Sequence, residues 1–460
     1  MKVSKNLVGS FLEWLKGAGE IKIDITILIF LIVTSFYSSL SSTNKYSDSD
    51  SLGCLLTSQA IIDNGTIKLD AYEEYISRFR ETYSYRVIQI NKSLYYAFPL
   101  GACIYSVPFV WLANLWGWDM KAIRLDVPID DIRFQSYLAA LSVAACAVLI
   151  YLINRSFLKP STSVFITIAF LFGTSLISTL GTALWSFNYE VLFILLSILI
   201  LIYDYQERIK ANSLFLGLFS FSAYFCRPTA AIFIIPFVAY LIHSRNYEVL
   251  FKTGFVMASL FISFILYSKS EFGLPLPPYY LPARLEVSGQ FWIAIYGNLV
   301  SPSRGLFVFS SFLFPVVIGA IASFKKLSKS LLFWLPVSWI ALHLIAISTF
   351  PHWWGGHSFG PRLQTDILPA YLLLSIIVYR KVFEEFSPLP RRTIYAFITG
   401  LVLISVYINV QQGLFNPATT EWNSSPDIDL HQEYLFDWDY PQFLASEAML
   451  ELRTEESLGK

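Results

Sequence analysis

Apolar residues run along this chain in blocks of about 15–22, the length that crosses a bilayer as a helix, separated by short polar connections. Such blocks fall at 23–40, 134–154, 162–181, 190–204, 212–226, 229–244, 251–268, 305–323, 331–350, 363–379 and 393–410. The pattern predicts an all-α integral membrane protein of about eleven transmembrane helices. It divides the chain into a cytoplasmic N-terminus with the first helix (1–41), a polar stretch (42–133), a transmembrane bundle (134–410) and a C-terminal tail (411–460). The first block lacks a small-residue cleavage site and reads as a retained span.

Within 42–133, the run 52–62 reads as a helix capped by Asp50 or Ser51, with Asp63-Asn64-Gly65 as its stop and Asp63 as a structural residue. Residues 98–118 are moderately apolar and aromatic. If they span, the basic residues Arg155 and Lys159 fall outside; if they lie on the surface, every later loop agrees with the positive-inside rule. The surface placement is the better reading, giving a helical extracytoplasmic first loop.

Charge placement sets the sidedness. Lys2, Lys5 and Lys16 precede the first block, and basic residues cluster at Arg155 and Lys159, Arg208 and Lys210, Lys325, Lys326 and Lys329, and Arg380 and Lys381. The opposite loops carry isolated cations: Arg227, Lys269, Arg284, Arg304 and Arg362. The N-terminus is therefore expected in the cytoplasm of a plasma (inner) membrane protein, with the 42–133 stretch outside. Composition agrees: 55% hydrophobic, 17% aromatic and 14% charged residues, against about 25% charged in soluble domains. A net charge of +0 offers no basic surface for nucleic acid. Cys146 and Cys226 fall in spans; Cys54 and Cys103 both fall outside, which leaves a disulfide between them open.

The polar residues that carry chemistry crowd one face. Asp48 and Asp50 follow the first span directly, where a carboxylate serves either as general base on a hydroxyl or as ligand of a divalent cation. As a bland alternative, Asp-Ser-Asp-Ser is a polar loop and helix start. FPHWWGGHSFGPR (350–362) joins two His, two Trp, three Gly and Arg362 at the head of a span. Trp353 and Trp354 read as interfacial anchors, while His352 and His357 offer metal ligation or phosphate contacts. Arg227, Arg304 and Arg362 all begin or end spans on the same side, and guanidinium groups bind phosphate oxygens bidentately. Glu190 is a second candidate carboxylate at a span mouth. Tyr95, Tyr96 and Tyr189 could stack on a sugar, although aromatic residues are abundant throughout.

In these residues the chain resembles the GT-C superfamily of polytopic glycosyltransferases, and more narrowly its dolichyl-phosphate-mannose protein mannosyltransferase and aminoarabinose transferase relatives. The motifs are DSDSLGCLLTSQAIIDNG, YYAFPLGACIYSVPF, FCRPTAAIF, FGLPLPPYY, SPSRGLFVFS and WWGGHSFGPRLQTDILP. The resemblance implies transfer of a sugar from a polyprenyl-phosphate donor to a lipid, glycan or protein acceptor on the outer face, with inversion. The family's first-loop base falls best on Asp50, with Asp48 as the near alternative. Its phosphate-binding residues are matched by Arg227 and Arg362, and then by Arg304 and Lys269. Many relatives carry adjacent carboxylates where this chain has Asp-Ser-Asp, which leaves open which one acts and whether a divalent cation is held. An oligosaccharide ligase of the same fold class is the near rival. A secondary transporter or flippase is the distant one, and it would call for internal repeats and ionisable groups at mid-bilayer.

Overall fold

The computed structural model describes residues 20–79, 83–122, 128–206, 212–281, 289–385 and 388–458. Lys2, Lys5, Lys16, Arg208, Lys210 and Arg284, which the charge argument uses, lie outside the described residues. The chain is an all-α integral membrane protein. Its main helices are α1 (Glu20–Leu40), α2 (Cys54–Asn64), α3 (Gly101–Leu115), α4 (Ile129–Arg155), α5 (Pro160–Phe172), α6 (Ser186–Tyr205) and α7 (Ser213–Cys226). They continue with α8 (Ala231–His243), α9 (Tyr247–Phe272), α10 (Phe291–Val300), α11 (Leu313–Ala322), α12 (Leu331–Thr349), α13 (Leu368–Lys381) and α14 (Pro388–Val406).

Among the described residues, six stretches are unbroken helices long and apolar enough to cross a membrane: 22–40, 129–155, 186–205, 247–272, 331–349 and 392–415. Of the other apolar blocks, 212–226 and 229–244 form single but shorter helices, and three are interrupted. The block 162–181 divides into α5 and a short helix, Ser175–Leu180, because Thr174 turns out of helical backbone and its hydroxyl caps the second piece through Leu176 N–H. The block 305–323 divides into Leu306–Phe309 and α11, and the block 363–379 opens with a 3-10 turn over 362–367. A 13-residue helix rises about 20 Å, short of a hydrocarbon core of about 30 Å, so these blocks reach across only as compound elements.

The order of packing is α1 on α4, α4 on α6, α6 on α7 and α7 on α9. The central helices α4 and α6 supply much of the largest apolar core, with Val143, Ile150, Ile194 and Ile198 essentially inaccessible. The peripheral α1 and α9 turn apolar side chains outward: Ile29 and Val33 are 57% and 58% exposed, Phe251 and Phe255 73% and 76%. In a membrane these are lipid-facing surfaces, where such exposure costs nothing.

The 42–133 stretch holds helices α2 and α3, which pack on each other, and one element that the sequence reading omitted. This is an antiparallel hairpin, β1 (Val87–Ile90) and β2 (Ser93–Tyr96), with Val87 opposite Tyr96. Its two-residue turn, Asn91-Lys92, takes positive φ at both positions (50° and 70°), the backbone that matches strand twist. Lys in place of the usual Gly hides the signal. α2 starts at Cys54 with Gly53 at its N-cap, two or three residues beyond the expected cap; neither Asp50 nor Ser51 caps it, since the cap is Gly53 (φ 98°) and no side chain caps the helix. Cys54 and Cys103 are both buried in the α2–α3 core and carry free thiols, not a disulfide.

Asp63 closes α2 structurally. It accepts from Gln59 (2.9 Å), Tyr72 (2.8 Å) and Lys121 (2.8 Å). Burial works against its charge, but these donors, Lys121 first, hold the carboxyl below its ordinary value. The stability they give is therefore complete above the ordinary carboxylate range and drains as pH falls through the lowered folded value. Asp63→Asn should flatten the acid limb of a Tm-against-pH curve below roughly pH 4; an unchanged limb would show that the cluster contributes nothing.

The tail folds back as a cap. Trp353 and Trp354 are not interfacial anchors: they are 2% and 3% exposed, packed with Trp422, Ile428, Tyr434 and Leu435 of the tail. Trp353 also lies against Gly297 of α10, another helix absent from the sequence reading, where an added Cβ would come within 2.2 Å of the indole.

Candidate active site

The loop between α1 and α2 is built from consecutive tight turns: Ser49 N–H to Tyr46 O, Leu52 N–H to Ser49 O and Cys54 N–H to Ser51 O. This winding separates the two acidic candidates, although they are two residues apart. Asp48 is exposed, whereas Asp50 is part-buried and faces a cavity. Its carboxylate Oδ2 is 3.4 Å from Arg362 Nη1.

Arg362 opens the 3-10 turn ahead of α13 and is 15% exposed. Its guanidinium lies 4.7 Å from the Trp185 ring centroid, and its Nε is buried with no hydrogen-bond partner among the described residues. Arg227 sits where Pro228 ends α7. It donates to Thr229 Oγ1 (3.1 Å) and Ser186 Oγ (3.3 Å), and rests 3.8 Å from the Phe187 ring centroid. Two buried carboxylates flank it, Glu190 Oε2 at 3.8 Å and Asp366 Oδ2 at 3.7 Å. The Thr229 hydroxyl ties both together, and His343 lies 3.2 Å from the other oxygen of Asp366. A guanidinium fixed by this many partners is held in one orientation, and the aromatic rings beneath both arginines add cation–π support.

The cavity that Asp50, Arg227 and Arg362 line together measures about 590 Å³, within the usual range for small-molecule sites. Its chemistry is asymmetric. The charged groups lie beside Tyr96, Trp185 and Phe187, while Ile232, Ala346, Ile347 and Leu363 supply an apolar wall from α8, α12 and the turn before α13. Such a space suits a ligand with an anionic head, a ring to stack and an apolar tail. His352 and the glycines Gly355 and Gly356 also line it.

Other candidates lie elsewhere. Arg304 is 1% exposed and outside the cavity lining. Its five N–H groups are all used: Nε to Trp354 O (2.7 Å), Nη1 to Ser303 O (2.8 Å) and Gln442 Oε1 (2.7 Å), and Nη2 to Gly356 O (3.0 Å) and Asn423 Oδ1 (2.8 Å). No donor remains for a phosphate, so this arginine is corrected from ligand-binding to structural. Lys269 is exposed on α9, away from the cavity lining. Glu190, in the second turn of α6, is fully buried behind Arg227 and is absent from the cavity lining. Tyr95 donates to Glu271 (2.9 Å) and Tyr189 is 3.1 Å from Ser106 Oγ; neither lines the cavity.

Three residues went unremarked in the sequence: Asp366, Asp131 and Arg86. An Asp a few residues into an apolar block, as in LQTDILP, is a signal by itself, because ionisable groups at membrane depth need partners. Asp131 heads α4 in the same way.

For a metal, the described residues bring together one His-Asp-Asp group: His357, Asp427 and Asp429, whose ligand atoms lie within 4.8 Å of one another. It is exposed and joins the 350–362 loop to the tail, with Trp354 Nε1 donating to Asp429 Oδ1 (2.7 Å). His352 and Asp50 are not part of it.

No family model and no curated protein matches the chain. Among solved structures it is similar to "ArnT from Cupriavidus metallidurans bound to Undecaprenyl phosphate", at 12% identity and a TM-score of 0.47, over 95% of this chain and 77% of that one.

Proposed function

We propose that this chain is a membrane glycosyltransferase of the GT-C kind. It takes a sugar from a polyprenyl-phosphate-linked donor and transfers it, with inversion, to a hydroxyl acceptor on the extracytoplasmic face. One observation carries the reading: a single cavity is lined by the Asp50 carboxylate, by two guanidinium groups held by aromatic rings, and by an apolar wall. The donor phosphate lies against Arg362 and Arg227, with the sugar among the aromatic side chains and the polyprenyl chain along Ile232, Ala346 and Ile347.

Asp50 accepts the acceptor's proton as its oxygen forms the new bond to the anomeric carbon. The bond from that carbon to the phosphate oxygen breaks on the opposite face, and the polyprenyl phosphate leaves with the electron pair. A phosphate leaving group needs charge stabilisation more than protonation, and guanidinium donors supply it at the moment the charge develops.

The test is transfer in membranes from a panel of radiolabelled polyprenyl-phosphate sugars by wild type and Arg362→Ala. A monophosphate donor should be used, and the substitution should raise KM or lower kcat/KM by at least about tenfold, the loss of a charge-assisted contact. Transfer from pyrophosphate-linked oligosaccharides alone would make the chain an oligosaccharide ligase. No transfer from any donor would remove the enzyme reading.

A further inference from the structure

Asp50 touches Arg362 at 3.4 Å, too long for a strong charge-assisted bond. Its aim at the cavity must therefore come from its backbone. Along the acidic loop, the backbone groups are gripped one after another by side chains from elsewhere in the fold. Gln135 Nε2 donates to Ser47 O (3.2 Å). Arg86 donates to two successive carbonyls, through Nη2 to Asp48 O and through Nε to Ser49 O (2.6 Å). The Tyr96 hydroxyl donates to Asp50 O. The same Gln135 amide also donates to the Asp131 carboxylate (2.7 Å), which fixes its orientation.

These four side chains come from two places. Gln135 and Asp131 are one turn apart on α4, the most buried of the six long apolar helices. Arg86 and Tyr96 stand at the open end of the β1–β2 hairpin, where Tyr96 pairs with Val87 and Arg86 precedes it. The hairpin ladder continues one step further, with Ala97 N–H donating to Arg86 O (2.8 Å), so the two grips are locked to one another. Arg86 is 7% exposed and its guanidinium lies 4.2 Å from the Tyr85 ring centroid. Gly53 completes the fit: a Cβ there would meet the Tyr96 ring at 3.2 Å and Tyr83 at 3.5 Å.

We infer that Arg86, Tyr96 and Gln135, with Asp131 holding Gln135, are positioning residues that fix the 47–50 backbone and so aim the Asp50 carboxylate into the cavity. This rests on the proposed role of Asp50 as base. It gives the hairpin, which also packs on α9 through Tyr95 and Phe272, a purpose in the site.

The experiment compares Asp50→Asn, Arg86→Gln, Arg86→Lys and the Asp50→Asn/Arg86→Gln pair in the same transfer assay, with Tm recorded for each. Arg86→Gln is expected to lower kcat by about tenfold to a hundredfold, the cost of a misplaced reacting group. Donor KM should stay within about twofold. Arg86→Lys keeps the charge but cannot reproduce the fork, so it should recover only part of the loss. In the Asp50→Asn background, Arg86→Gln should cost nothing further, because the group it aims is already gone. If Arg86→Gln does not accumulate, Tyr96→Phe removes one hydroxyl with little change of volume and should show the same kcat-only loss.

The two readings fail differently. Full activity in Asp50→Asn overturns the base and the positioning inference together. Inactive Asp50→Asn beside fully active Arg86→Gln and Tyr96→Phe overturns the positioning inference alone. Equal losses from Arg86→Gln in both backgrounds also overturn it, since that is a general structural effect.

Discussion

Asp50→Asn should abolish sugar transfer, lowering kcat by about 10²–10⁴ while leaving Tm and donor binding near wild type. The substitution keeps the shape of the side chain and removes only its capacity to take a proton. Little else should change, because Asp50 is part-buried and its carboxylate makes one long contact, to Arg362. Asp48→Asn is the matched control: Asp48 is exposed and absent from the cavity lining, so its loss should be near neutral. The outcome that sinks the assignment is full turnover in Asp50→Asn with loss in Asp48→Asn. Loss in both would put the charge of the whole loop, not one base, at the centre of the chemistry.

Arg304→Ala should be the most destabilising single change of those considered, costing about 3–5 kcal/mol. The arginine is buried with all five donors engaged, and it gathers parts of the chain far apart in sequence: its own loop, the 353–356 backbone, Asn423 and Gln442. Removing it leaves the carbonyls of Trp354 and Gly356 and two side-chain acceptors facing a void. Because Gly355 and Gly356 also line the cavity, transfer should fall along with stability. A thermal shift assay and limited proteolysis of the tail would measure the effect. A Tm within about a degree of wild type would show that the tail holds without this residue.

The helices were legible because bilayer spans announce themselves by length and hydropathy, and each described span overlaps its predicted block. Their interruptions were not legible: Thr174 breaks a block that is apolar on both sides, through a hydroxyl cap that composition does not reveal. The acidic loop was visible as a site, but Asp48 and Asp50 could not be told apart, since their difference arises from the hydrogen-bonded turns of 46–54. The arginines illustrate the same limit. Arg227, Arg304 and Arg362 look alike in sequence, each at the end of an apolar block. Only the arrival of Asn423 and Gln442, more than a hundred residues downstream, occupies Arg304 and leaves the other two facing the cavity. Trp353 and Trp354 mimic interfacial anchors for the same reason, because their cover comes from the tail. The hairpin escaped notice because Asn-Lys lacks the glycine that usually marks such a turn.

The ties made by Arg304 also set an order of events during synthesis. Asn423 and Gln442 follow it by 119 and 138 residues, roughly 6–30 s of translation. Throughout that interval a cation destined for burial waits for its final partners, while four further apolar blocks (305–323, 331–350, 363–379 and 393–410) are made. The newborn chain therefore holds the Trp354 and Gly356 carbonyls with an incomplete cluster until its last segment emerges.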